Sequence, residues 1–192
     1  MINWIIKTYY KIRLKNKLIT NTKQETELIP DRIIKSTSHP NGYQIPHEVP
    51  IRQQGSIGSC ASHAIIRAIE IQLPTKDYLE GSELYHYYKT RKEITKSYPK
   101  DTGMSIYQGV KSVYDYGFCP ELLWKYETIN YNKNPDSFAE SFANLIKNYI
   151  MIERYYKLGS VEDIKIAVSN DLPVIFGLAT TNPELPLLGL KV

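Results

Sequence analysis

Apolar positions recur with helical spacing in the centre of the chain. Between Cys60 and Pro74 they fall three and four residues apart, which places them on one face of a helix: Ala61, Ala64, Ile65, Ala68 and Ile69. The proline bounds the pattern, because proline cannot continue a helix. We therefore predict a helix that starts at Cys60 and buries this face.

Four further helices are predicted by the same spacing together with start and stop signals. One follows Gly81-Ser82, one follows the turn Asp101-Thr102-Gly103 and ends at Gly117, one begins at Asn134-Pro135, and a short one runs from Ser160 to Ser169. The side chains expected to face inward on the first three are Leu84, Tyr85, Tyr87, Tyr88, Ile106, Val110, Val113, Tyr114, Phe138, Phe142 and Leu145.

Two later segments have the composition of strands. Residues 149–156 are rich in tyrosine and isoleucine, and Pro173 to Ala179 is a short apolar run typical of a buried strand. Helices followed by strands predict an α+β fold. Because few residues follow Ala179 to pair with the last strand, we expect an open sheet edge through which the chain self-associates.

The N-terminal segment differs from the rest. Residues 1–20 are basic and weakly amphipathic, and lysines interrupt the apolar residues too early for a membrane-spanning helix. They also lack the pattern of a secretory signal. A solvated leader or pro-segment over residues 1–40 is favoured over a membrane-surface helix. Residues 41–192 are then the folded domain.

A glycine-punctuated loop leads directly into the first helix. Cys60 stands at the helix start, where unpaired N–H groups and partial positive charge favour thiolate over thiol. The thiolate is the nucleophilic form of cysteine. Gly55 and Gly58 allow tight turns close to the sulfur. Cys60 is therefore a candidate nucleophile, and the alternative is a small buried apolar residue.

Composition narrows the chemistry further. The 192 residues are 42% hydrophobic, as expected of one globular domain, and the net charge of +4 gives no footprint for nucleic acid. Cys60 and Cys119 form no Cys-x-x-Cys pattern or zinc-spaced cluster, so we expect neither metal nor cofactor. A disulfide between them would remove the nucleophile, which favours a reducing, intracellular compartment.

The loop itself resembles a known motif. Gln54-Gly55-Ser56-Ile57-Gly58-Ser59-Cys60 is similar to the nucleophile motif of papain-like cysteine peptidases. Gln54, six residues before Cys60, stands where that family has the glutamine of its oxyanion hole. Ile57 replaces a cysteine of a structural disulfide, and Ala61 replaces an aromatic residue. The motif therefore resembles a disulfide-free branch of the family, and this resemblance implies catalytic roles for Cys60 and Gln54.

Two later segments carry the resemblance onward. Asp101 to Tyr126 resembles the papain-like segment that lines one wall of the substrate cleft and ends in a Glu-x-x-Trp/Tyr-x-Tyr turn. The order helix, turn, strand over residues 160–179 resembles the beginning of the β-rich half. The resemblance therefore implies a papain-like α+β fold, with the helical half present and the β-rich half incomplete. The positions that it assigns to substrate binding are Gly58, Ser59, Gly103 and Met104.

The general base of this chemistry is missing from the sequence. Papain-like catalysis needs a histidine to accept the thiol proton and an Asn or Asp to orient it. No Gly-x-His-Ala or Asn-Ser-Trp-Gly pattern occurs. His63, three residues after Cys60, would be its neighbour on the helix, but a packed or solvated histidine is favoured. His86 is expected at the surface or boundary, and His39 and His47 precede the motif.

The sequence thus predicts a cysteine peptidase for peptide or protein substrates. Cys60 would attack the scissile carbonyl, and Gln54 with the Cys60 N–H would stabilise the oxyanion. As given, the chain is expected to be inactive or incomplete, because the segment with the histidine and asparagine is missing. Two alternatives stay open: a non-catalytic papain-like remnant that binds a peptide or partner protein, and a fragment of a longer reading frame.

Overall fold

The computed structural model describes residues 42–45, 49–73, 78–147 and 158–177. Within these ranges the helices, in chain order, are α1 (Cys60–Gln72), α2 (Glu83–Lys89), α3 (Ile106–Tyr116), α4 (Ser137–Lys147) and α5 (Val161–Ser169). A π-helical turn, Thr90–Ile94, continues α2, and a 3-10 turn, Thr128–Asn130, precedes α4. None of these helices is long and apolar enough to cross a membrane. The predicted leader (residues 1–40) and the predicted strand over 149–156 lie outside the described residues.

Helix α1 lies at the centre of the helical part, against α2 and α3, and α4 packs on α3. Its predicted inner face is confirmed at Ala61, Ile65, Ala68 and Ile69, while Ala64 is exposed. Ile66 and two polar residues, Ser62 and Glu70, are buried as well. The buried surface of α1 is therefore wider than one apolar stripe, because neighbours cover it from more than one side.

Local capping explains where the other helices begin and end. The Ser82 hydroxyl accepts a hydrogen bond from the Tyr85 N–H, as an N-cap does. Ser105 and Ser160 form capping boxes with Gln108 and Asp163. Gly117 follows α3 with a φ of 70°. The predictions that α2, α3 and α5 begin shortly after Gly81, Gly103 and Gly159 are confirmed. The predicted end of α3 at Gly117 is confirmed as well.

Two residues predicted to face inward do not. Tyr114 is 54% exposed and Phe138 is 51% exposed. On α3 the predicted Val113 is buried, and two small residues that were not predicted, Gly109 and Ser112, are buried beside it. A Cβ on Gly109 would lie 2.5 Å from Ile65 Cδ1, so small residues let α1 and α3 approach closely. A hydrophobic pattern does not reveal this close approach, because α3 faces α1 with its small residues and not with its large apolar side chains.

The strand predicted over Pro173 to Ala179 is not found in its described part. Residues 173–177 are neither helix nor strand, and Phe176 is 55% exposed. A strand needs a partner strand, and the described residues contain only an isolated antiparallel bridge, between Gly81 and Pro120. The segment packs on α1 instead, and Ile175 packs against the buried cluster to which Ile65, Ile66 and Ile69 of α1 belong. Self-association through a sheet edge stays a prediction.

Candidate active site

The loop before α1 is folded around one carbonyl group. The Ile57 oxygen accepts a hydrogen bond from the Gln54 side-chain amide at 2.6 Å and another from the Ser59 N–H at 2.8 Å. Gly55 has a φ of 69°, and a Cβ there would lie 2.9 Å from Thr128 Cγ2. The loop therefore requires glycine at this position, as the sequence predicted.

Cys60 is the first residue of α1 and its side chain is exposed. Its backbone N–H is one of the helix N-terminal donors that have no partner within the helix. Cys119, in contrast, is fully buried, and this burial raises the pKa of its thiol well above the usual value. Both thiols are free. Of the two, Cys60 is the one that a substrate carbonyl can reach.

The Tyr126 hydroxyl group joins the two ends of the loop. It donates a hydrogen bond to the Gln54 carbonyl oxygen at 2.7 Å and lies 2.5 Å from Ser59 Oγ. Because the phenol hydrogen is used by Gln54, the Ser59 hydroxyl is the donor in the second bond. Ser59 is fully buried. The Tyr126 side chain thus holds the loop at two points, at Gln54, six residues before Cys60, and at Ser59, one residue before it.

The backbone of Tyr126 is held in turn by its own segment. The Tyr126 N–H donates to Glu121 Oε1 at 2.6 Å. The Ser82 hydroxyl donates to the Trp124 carbonyl at 2.5 Å. The Trp124 side chain packs against two clusters of buried residues, one that includes Ile65 and Phe118 and one formed by Ile57, Leu84 and Tyr87. The Glu-x-x-Trp-x-Tyr sequence therefore forms an anchored turn that directs the Tyr126 phenol at the loop.

The second predicted segment contacts the loop at Gly58 and Gly103. A Cβ on Gly58 would lie 3.0 Å from the Gly103 nitrogen and 3.1 Å from its Cα. Asp101 Oδ1 accepts a hydrogen bond from the Gly58 N–H at 2.9 Å and another from the Tyr87 hydroxyl. The Tyr87 hydroxyl accepts one from the Gly103 N–H at 3.1 Å. The structure thus brings these two candidate substrate positions together and joins them through Asp101.

The other two candidate substrate positions face inward. Ser59 is buried, with its hydroxyl on Tyr126. Met104 is half-buried and packs against the cluster of Ile57, Leu84 and Tyr87. Its sulfur lies 4.0 Å from the Ser62 hydroxyl. Contact of either side chain with a substrate stays a prediction.

Both histidines in the described residues are occupied within the fold. His63 Nδ1 lies 3.1 Å from the Ser59 carbonyl, and its ring stands edge-on to Tyr126 with centroids 4.7 Å apart. This is the packed position that the sequence favoured. His86 is fully buried, with Nε2 2.9 Å from the Gly109 carbonyl, so its predicted surface or boundary position is wrong. Burial lowers the pKa of His86 to about 4.

An ion-pair cluster beside the loop was not predicted. Its members within the described residues are Arg52, Arg67, Glu70, Glu80, Glu83 and Glu121. Glu83 is fully buried and binds Arg52 and Arg67 at 2.7 Å each. Burial raises the pKa of Glu121 to about 7, and the charge of Glu83 adds to the rise. Since four carboxyl groups face two guanidinium groups, a neutral Glu121 balances the cluster best.

The sequence contains one weak signal for this cluster. Arg67 and Glu70 are three residues apart on a helix that is otherwise largely apolar, and they form an ion pair. Their other partners come from distant parts of the chain, which no local pattern reveals. Within the described ranges, this cluster included, no group of three or more histidine, cysteine, aspartate or glutamate side chains is placed to hold a metal ion.

Comparison with known proteins agrees with this geometry. No family model matches the chain. An uncharacterized peptidase C1-like protein of Acanthamoeba polyphaga mimivirus is 30% identical over 142 aligned positions, and the match covers 69% of this chain and 45% of that protein. The crystal structure of xylellain, a cysteine protease from Xylella fastidiosa, matches with a TM-score of 0.60 and 25% identity over 69% of this chain and 54% of xylellain.

The matched part of the chain thus spans about half the length of each relative. The resemblance predicted from the loop motif is confirmed by a relative named for this peptidase family and by the fold of a cysteine protease. In sequence and in fold, this chain is similar to the papain-like cysteine peptidases of the C1 type.

Proposed function

We propose that this chain carries the nucleophile half of a papain-like cysteine peptidase, with peptides or proteins as substrates. The observation that carries the proposal is the exposed Cys60 at the first position of α1, directly after a loop in which Gln54, Gly55 and Gly58 are in register. The relatives' names support the same reaction class.

In the proposed reaction the Cys60 sulfur attacks the carbonyl carbon of the scissile bond. A C–S bond forms, and the carbonyl π electrons move to the oxygen. The Cys60 N–H and the second N–H of the Gln54 side-chain amide, whose first is used by Ile57, would donate to this oxyanion. Collapse of the intermediate breaks the C–N bond, and the amine leaves with a proton. Water then cleaves the thioester and regenerates the thiol.

The surface formed by Gly58 and Gly103 is the proposed path of the peptide. Backbone groups rather than side chains line it here, since both residues are glycines in mutual contact. Gly103 has a φ of 68° and a Cβ there would lie 3.7 Å from the Gly58 carbonyl. Such a surface suits an extended peptide, whose main chain can approach closely where no side chain intervenes.

The proposed reaction also needs a group that accepts the proton of the Cys60 thiol, and this role is not assigned to any of the described residues. His63 Nδ1 bonds back to the Ser59 carbonyl, its Nε2 is buried, and His86 lies in the core. This observation favours a second candidate function for the 192-residue polypeptide, that of a non-catalytic peptide-binding protein. The two candidates differ in turnover, because a general base typically contributes about 10²–10⁴-fold to the rate.

Two measurements test the proposal. First, we expect iodoacetamide to alkylate Cys60 much faster than Cys119 at neutral pH, because one thiol is exposed and the other is buried with a raised pKa. Mass-spectrometric mapping of the labelled peptides reads this out. Equal or reversed labelling would contradict the assignment of Cys60 as nucleophile.

Second, peptide hydrolysis by the 192-residue chain is measured beside its Cys60→Ser variant. We expect little or no turnover above that of the variant. Turnover at ordinary peptidase rates that Cys60→Ser abolishes would exclude the non-catalytic function and show that a base is present. His63→Ala in the same assay would then decide whether His63 is that base.

A further inference from the structure

We propose that Tyr126 is a positioning residue of the oxyanion site, which acts by fixing the spacing between Gln54 and Cys60. This inference rests on the proposed function, because it assigns a role within the same site. The Tyr126 hydroxyl contacts Gln54 itself, through the Gln54 carbonyl at 2.7 Å, and Ser59, the residue directly before Cys60, through its hydroxyl at 2.5 Å.

The first contact acts on the oxyanion donor. Gln54 is held at both ends, since its carbonyl accepts from Tyr126 and its side-chain amide donates to Ile57 at 2.6 Å. With its backbone fixed, the second N–H of the amide has a defined direction. Without the phenol, only the bond to Ile57 would limit rotation of the Gln54 peptide group.

The second contact acts on the nucleophile. Ser59 is the N-cap residue of α1, but its hydroxyl makes no capping bond within the helix. It is directed at Tyr126 instead. Ser59 is fully buried, so its hydroxyl has no access to solvent, and a second polar atom near it, His63 Nδ1, lies farther away at 3.5 Å. The phenol therefore fixes the residue whose peptide bond contains the Cys60 N–H.

The phenol is itself immobile and remains a donor. The Tyr126 N–H is bonded to Glu121, and the ring packs in a T-shaped arrangement with the His63 ring. Burial raises the pKa of Tyr126, so the hydroxyl keeps its hydrogen at neutral pH. An anchored donor that reaches both ends of one loop meets the requirement for preorganised oxyanion stabilisation, in which the donors stand in place before charge develops.

The experiment separates this role from general stability. A library of N-acetyl tripeptide aldehydes is titrated against the full chain. Addition of Cys60 to the aldehyde forms a C–S bond, the carbonyl π electrons move to the oxygen, and the thiol proton follows them. The hemithioacetal oxygen then lies where the oxyanion would form and accepts from the same donors, and no leaving group is required. Iodoacetamide alkylation of Cys60, which forms no oxyanion, and the melting temperature are measured on the same proteins.

Three variants are compared with the wild type. Tyr126→Phe removes only the hydroxyl, and Gln54→Ala removes the proposed donor. Tyr98→Phe is the matched control, because the Tyr98 hydroxyl also donates to a backbone carbonyl, that of Asn132 at 2.6 Å. We expect Tyr126→Phe to weaken aldehyde binding about fivefold, the net value of a hydrogen bond. We expect Gln54→Ala to weaken it at least as much, Tyr98→Phe to leave it unchanged, and the alkylation rate to stay within twofold throughout.

Each other result overturns part of the reasoning. Wild-type aldehyde binding by Tyr126→Phe, with weak binding by Gln54→Ala, would refute the positioning role and leave the proposed function intact. Equal losses in Tyr126→Phe and Tyr98→Phe, in proportion to their melting temperatures, would also refute it. Binding that requires neither Cys60 nor Gln54 would overturn the proposed function as well. If Tyr126→Phe does not fold, Ser59→Ala removes the other half of the bridge, and wild-type aldehyde binding there would refute the role.

Discussion

His86 makes the stability of this protein sensitive to mild acid. The imidazole is fully buried, and its Nε2 donates to the Gly109 carbonyl at 2.9 Å in the neutral form. Nδ1 is buried with no hydrogen-bond partner in the described part of the chain. A second proton would have to enter at this nitrogen and place a charge in the core. Burial therefore lowers the pKa of His86 from 6.5 to about 4.

The sign and the size of the effect follow from this pKa. In the unfolded chain the histidine gains a proton as the pH falls through about 6.5, whereas in the folded chain it does so only near pH 4. Between these values the unfolded state binds more protons, so the free energy of unfolding decreases as the pH falls. For pKa values of 6.5 and about 4, the loss between pH 7.5 and pH 5 is about 2 kcal/mol.

The test uses His86→Gln, because glutamine does not titrate and its amide can still donate to the Gly109 carbonyl. Urea denaturation of both proteins at pH 7.5 and pH 5.0 gives four free energies of unfolding. We expect the wild type to lose about 2 kcal/mol more than the variant between the two pH values. Carboxyl groups titrate in both proteins and cancel in this difference. Equal losses would refute the assignment of a buried neutral His86.

Three further outcomes are expected. Gly117→Ala should lower the melting temperature, because Gly117 has a φ of 70° and a Cβ there would lie 2.6 Å from a backbone oxygen of α4. Gly159→Ala is the control and should leave the melting temperature unchanged, because its Cβ would meet only an aspartate oxygen at 3.7 Å. Glu121→Gln should lose more stability than the wild type as the pH falls from about 7 to 4.5, since the folded Glu121 carboxyl binds its proton before the unfolded one and offsets part of the loss caused by His86. After unfolding in urea, Cys60 and Cys119 should be alkylated at similar rates, because Cys119 is then no longer buried. A difference in rate that persists in urea would show that burial of Cys119 does not cause the difference expected in the folded chain.

The parts of the fold that the sequence predicted correctly are those set by neighbours along the chain. Ser160 and Asp163 form their capping box within one turn, so the start of α5 is visible in four residues. The spacing of Gln54, Gly55, Gly58 and Cys60 likewise identified the loop, because the glycines and the helix start are local requirements.

The parts that it did not predict depend on distant partners. Tyr126 meets Gln54 across 72 positions, and Glu83 pairs with Arg52 across 31. His86 lies among tyrosines on α2, where every residue except Lys89 is buried, so the polarity of its side chain wrongly indicated a surface position. The strand expected at residues 173–177 failed for a related reason: an apolar run becomes a strand only beside a partner strand, and none lies beside it within the described residues.

The Asp101 link between Gly58 and Gly103 has a consequence for the redox conditions under which the site keeps its shape. In the family that this chain resembles, the position of Ile57 holds a cysteine of a structural disulfide. Here the adjacent Gly58 N–H is held by a carboxylate, which also binds the Tyr87 hydroxyl. Reductant cannot cleave this link and oxidant cannot form it. The conditions that keep Cys60 a free thiol therefore also leave the contact between Gly58 and Gly103 intact, so the proposed nucleophile and the proposed binding surface make no opposing demands on the thiol–disulfide potential.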